Sequence, residues 1–117
     1  MYCNYCILKR TENGMLVLLK GKENHEYQLT FKNLLFGLTK KELEGFIIYL
    51  NNIDCSYWEQ EYENSIYEKK IPIPTMQSNF VVLLDWFEVN ELLKLLNFEC
   101  KIDSLNYSDF KYSVHLN

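Results

Sequence analysis

The sequence predicts an α+β fold: an antiparallel sheet of about six strands, made of an N-terminal four-stranded meander and a later hairpin, with two amphipathic helices on one face. Three observations carry this. Residues 5–38 hold β-like runs between turn signals, with apolar and polar side chains alternating over 26–31; two later stretches carry apolar residues at helical spacing behind capping residues; and an apolar run, Phe80-Val81-Val82-Leu83-Leu84, follows Ile71-Pro72-Ile73-Pro74. A chain of 117 residues has the size of one domain. We expect that domain in residues 1–98, followed by a polar tail, 99–117, part of which can dock through Leu105, Tyr107, Phe110 and Tyr112.

Tyr5 to Arg10 and Met15 to Lys20 read as strands joined through Asn13-Gly14, the strongest short hairpin signal because both residues tolerate positive φ. Gly21-Lys22-Glu23-Asn24 turns the chain into His25 to Phe31, where Tyr27, Leu29 and Phe31 alternate with Glu26, Gln28 and Thr30. One apolar and one polar side is the pattern of a half-buried antiparallel strand. Lys32-Asn33 then turns into Leu34 to Leu38. Thr39 precedes Glu42 by three residues, the spacing of a capping box, and Leu43, Phe46, Ile47 and Leu50 follow at i, i+3, i+4 and i+7 of a helix over 39–53. Gly45 interrupts that helix, and the sequence leaves open whether it marks a close approach or an exposed position.

Residues 54–68 read as a connector, with five acids and no base among alternating aromatics. A strand over 66–71 is expected next. Pro72 and Pro74 then remove two backbone donors and imply an edge or a loop. Asn79 to Leu84 is apolar on both faces and is expected to be the most buried strand. Asp85 and Glu88 repeat the capping spacing, and Val89, Leu92, Leu93 and Leu96 form the stripe of a helix over 86–97.

The formal net charge of −4, with basic residues forming nothing denser than isolated doublets such as Lys9-Arg10, argues against nucleic acid as a partner. No run approaches the roughly 20 apolar residues of a membrane span, and the N-terminus lacks the pattern of a secretory signal, so the expected home is the cytoplasm. There, Cys3, Cys6, Cys55 and Cys100 are expected as thiols. Aromatic residues make up 15% of the chain, and most of them are expected to complete a small core.

Cys3-x-x-Cys6 has the spacing of half a zinc site, and His25 is the candidate third ligand. The pair opens a strand instead of a helix, so it does not suit a redox motif. His25 and His115 are the only candidate bases for a nucleophile and stand in no recognised arrangement. Glu59 and Glu63 lie at helical spacing, which suits a solvated face better than acid–base work. The most plausible functional surface is the connector, with Tyr57, Trp58 and Tyr62 as aromatic anchors ringed by Glu59 and Glu63. Closing the open side of the sheet is the alternative role for Trp58 and one tyrosine. These features point to a non-catalytic binding or adaptor protein that uses no cofactor and meets a protein partner, with a homodimer through a sheet edge as a variant. The alternative function is a zinc protein using Cys3, Cys6 and His25.

The stretch Tyr27-Gln28-Leu29-Thr30-Phe31-Lys32-Asn33, then Leu38-Thr39 opening a helix with Phe46 and Tyr49-Leu50, then Ile71-Pro72-Ile73-Pro74-Thr75 and Glu91-Leu92-x-x-Leu95-Leu96, resembles a small uncharacterised family of Bacteroidetes-type bacteria. The resemblance spans residues 7–98. It implies a Cys-x-x-Cys at the hairpin tip of some relatives, where this chain has Gly21-Lys22-Glu23-Asn24, and therefore the loss here of half a metal site.

Overall fold

The structure, a computed structural model, describes residues 5–21 and 26–98. The order of elements is β1 (Tyr5–Arg10), β2 (Gly14–Leu19), β3 (Tyr27–Phe31), β4 (Leu34–Leu38), α1 (Lys40–Asn52), α2 (Cys55–Glu61), β5 (Ile71–Pro74), β6 (Val81–Leu84) and α3 (Trp86–Leu96). The fold is α+β, with the expected meander in the order β1-β2-β3-β4 and the expected later hairpin. The hairpin forms a two-stranded sheet of its own, so the six strands are divided four and two. The expected tail and its docking residues lie outside the described residues.

Alternation decides which face of the meander is covered. Leu16 pairs with Leu29, Leu18 with Tyr27, and Tyr27 in turn with Leu38, so their side chains share one face. Leu16, Tyr27, Leu29, Phe31 and Leu38 are buried in one cluster with Leu43, Ile47 and Leu50 of α1 and Val89, Leu92, Leu95 and Leu96 of α3. Burying each such side chain contributes roughly 1.5–3 kcal/mol. On the opposite face Tyr5, Ile7 and Leu35 are exposed.

Both long helices start where the sequence places them. The Thr39 hydroxyl accepts from the Glu42 N–H at 3.1 Å while the Glu42 carboxylate accepts from the Thr39 N–H at 2.9 Å. Asp85 and Glu88 make the same exchange at 2.8 and 2.9 Å. Each box satisfies two donors that a helix start leaves orphaned.

Four local expectations are corrected. The Asn13-Gly14 hairpin forms, but among the described residues positive φ occurs only at Gly21 and Lys32. Gly14 is required by packing instead: a Cβ there would stand 2.6 Å from both Leu95 Cδ1 and the Thr30 carbonyl oxygen. The strand expected over 66–71 begins at Ile71, and Ile66 is 91% exposed. Prolines fit this strand because Pro72 aims its carbonyl away from β6, at the Tyr49 hydroxyl of α1, which donates to it at 2.8 Å. N–H and C=O of one strand residue point to the same side, so the donor missing at Pro72 is not one that β6 would use. The strand expected to be most buried is shorter, Val81–Leu84, and half open: Leu84 is buried opposite Ile71, whereas Val81 and Leu83 are exposed. A two-stranded hairpin has one covered face, and an apolar run cannot bury its other face without a second layer. Finally, the aromatics among the described residues are divided between core and surface: Tyr27, Phe31 and Phe98 are buried and Phe36, Phe46, Tyr49 and Trp58 pack against the core, but Tyr5, Tyr57, Tyr62, Tyr67, Phe80, Trp86 and Phe87 are exposed.

Tyr49 ties the hairpin to α1, and burial, with Cys55 beside it, pushes its phenol up from the ordinary value. Tyr49→Phe leaves the Pro72 carbonyl without that donor. It should lower stability by about 1 kcal/mol, read as a lower urea midpoint at an unchanged slope.

Candidate functional site: an aromatic surface on the second helix

Within the expected connector the chain forms α2, a seven-residue helix. Asp54 caps it by accepting from the Tyr57 N–H at 3.0 Å, and the N–H of Tyr62 closes it on the Trp58 carbonyl at 3.1 Å. No residue of α2 is buried. Cys55 and Trp58 lean against the core from its rim, and the other side chains of the helix project outward. Placed on one turn and its cap, the three predicted anchors come together. Trp58 stacks on Tyr62 with ring centres 5.6 Å apart and planes 3° from parallel, and meets Tyr57 edge to face at 5.1 Å and 78°. Offset stacks and edge-to-face pairs are the favoured arrangements of aromatic quadrupoles. Trp58 is half-buried, while Tyr57 is 51% and Tyr62 44% exposed.

Glu59, Glu61 and Glu63 are exposed around these rings. Glu59 and Glu63 do not share a helix face, because the helix ends at Glu61 and Glu63 lies in the following turn. What results is an exposed aromatic cluster with acidic neighbours along the chain, suited to packing against a guanidinium or ammonium group and its alkyl stem. Cys55 beside it is no activated nucleophile, since burial first, and then Glu59 and Asp54, push its thiol up.

Two of the three expected zinc ligands, Cys3 and His25, lie outside the described residues, as do Cys100 and His115. Cys6 is buried in β1 opposite Leu18. Among the described residues no group of three or more His, Cys, Asp or Glu side chains could hold a metal ion. Among them, too, no helix is long and apolar enough to cross a membrane.

One carboxylate cluster escaped the sequence reading. Glu88, 6% exposed, accepts from Lys32 at 2.5 Å and Lys69 at 2.7 Å in addition to its capping bond. Burial alone would push its carboxyl up, but the bonds from Lys32, Lys69 and the Asp85 N–H outweigh that and hold it at about 2. This arrangement clamps the β3–β4 turn and the approach to β5 onto α3. A neighbouring clamp, Glu91, accepts from the Thr11 hydroxyl at 2.6 Å and the Asn13 N–H at 2.8 Å, fixing the β1–β2 turn to the same helix. Sequence reasoning also missed Trp86 and Phe87. They stand edge to face at 5.1 Å and are 48% and 76% exposed at the start of α3, off its apolar stripe.

The architecture is that of a small α+β protein, a helix-covered four-stranded meander with an appended hairpin, which among the described residues leaves seven aromatic side chains exposed. The chain belongs to a family of unknown function, DUF6686, whose match spans residues 1–117. No curated protein and no solved structure matches it.

Proposed function

We propose that this is a non-catalytic binding or adaptor protein whose α2 surface docks a basic segment of a protein partner. The observation that carries the reading is the stacked Trp58–Tyr62 pair, with Tyr57 against its edge and more than two-fifths of each tyrosine open to solvent. Rings already held by one another lose little conformational freedom on binding, and aromatic anchors inside a polar rim are what interfaces favour. Residues 54–68 carry acids without a base, which favours a partner rich in arginine or lysine.

The test is affinity capture by the wild type and by a Tyr57→Ala, Tyr62→Ala variant. That variant spares the Trp58 contact with the core, so its circular dichroism spectrum should be unchanged. We expect at least about tenfold less of the partner with the variant, and weaker capture by the wild type as ionic strength rises. Equal capture by both proteins, or capture indifferent to salt, would count against the reading.

A further inference from the structure

A concavity lies between β4, α1 and the end of β5. It has a volume of about 300 Å³, and its lining includes Phe36, Phe46, Tyr49 and Met76, with Glu42 and Gly45 on the α1 side. Its walls are apolar almost throughout, and Phe36 and Phe46 pack on one another along one side, with ring centres 6.0 Å apart and planes tilted by 40°. Gly45 supplies the bare part of the wall. A Cβ built there meets nothing within 4 Å, so packing does not require glycine, although glycine inside a helix costs up to about 1 kcal/mol relative to alanine. What glycine does at this position is leave the cleft open.

Glu42 is the one charged group among the lining residues. Its Oε1 accepts the Thr39 N–H at 2.9 Å, and no hydrogen bond among the described residues uses Oε2. A carboxylate oxygen at the rim of an aromatic-walled cleft is the arrangement that recognises an ammonium group, by charge pairing and by the ring faces. The volume stands at the lower end of small-molecule sites, enough for one ring and a short arm but not for a helix or a strand of a partner.

We propose that this cleft binds a small aralkyl amine in its cationic form, with the ring packed against Phe36, Phe46 and Tyr49 and the ammonium at Glu42. The proposal is independent of the α2 reading, since no α2 residue lines the cleft.

The test is titration of the full chain, followed by NMR shifts, with three probes: phenethylammonium, the neutral phenethyl alcohol and the anionic 3-phenylpropionate. We expect the ammonium to bind about tenfold or more tightly than the alcohol and the carboxylate not to bind. Glu42→Gln keeps a side chain able to cap α1, and it should bring the ammonium to the affinity of the alcohol. Gly45→Phe should abolish binding of both while the protein remains folded, as read from its unfolding midpoint. Equal affinity for all three probes, no binding of the ammonium, or undiminished binding in folded Gly45→Phe overturns the proposal.

Discussion

Replacing Glu88 by glutamine is expected to lower stability at neutral pH by about 2–3 kcal/mol, and to do so less and less as the solution is acidified. Glutamine can still cap α3, so the loss isolates the charge. The wild-type carboxyl is held at about 2 in the folded chain against an ordinary value of 4.5. A group whose folded value is depressed contributes stability that is fully present above its unfolded value and lost as pH falls through the folded one. The difference between wild type and Glu88→Gln should therefore be full above pH 4.5 and shrink between pH 4.5 and about 2. Lys32 and Lys69 are 46% and 37% exposed and return to water when the charge is removed, which limits the effect. Urea titrations of both proteins from pH 7 to pH 2 measure it. A difference that does not vary with pH would show that the charge of Glu88 does not carry the loss.

Gly14→Ala should lower stability by about 2–3 kcal/mol, while Gly45→Ala should raise it by up to about 1 kcal/mol. Both residues lack a side chain inside a regular element, and local propensity treats both substitutions as favourable. The surroundings separate them. A Cβ on Gly14 meets Leu95 Cδ1, which can swing aside, and the Thr30 carbonyl oxygen, which cannot move without disturbing the β2–β3 pairing around Gly14 and Phe31. A Cβ on Gly45 enters open space. Thermal unfolding decides between these signs, since 1 kcal/mol moves the midpoint of a domain this size by roughly 4–8 °C. A stable Gly14→Ala protein would mean that the Thr30 carbonyl oxygen yields to the added Cβ without breaking the β2–β3 pairing.

Elements that announce themselves within a few residues were legible in the sequence. Thr39 with Glu42 and Asp85 with Glu88 fix two helix starts, because a capping box is made of neighbours along the chain. Tyr27, Leu29 and Phe31 name the buried side of β3, since alternation is a property of the strand alone. The anchors Tyr57, Trp58 and Tyr62 were legible as residue types, but their stacking was not. It depends on α2, and a seven-residue helix that buries none of its residues displays no apolar stripe to read.

By itself, then, the sequence determined the α+β class, the meander, the two long helices and their starts, all of which follow from local periodicity and capping. The tertiary structure decided the rest: the separation of the hairpin from the meander, the half-open face of β6, the reason for Gly14, the cleft beside Gly45 and the second task of Glu88. Each of these depends on groups far apart in the chain. Lys32 stands 56 residues from Glu88, and no spacing rule reaches that far. Local patterns report what a segment can form, whereas burial, charge pairing and open space are set by which segments end up side by side.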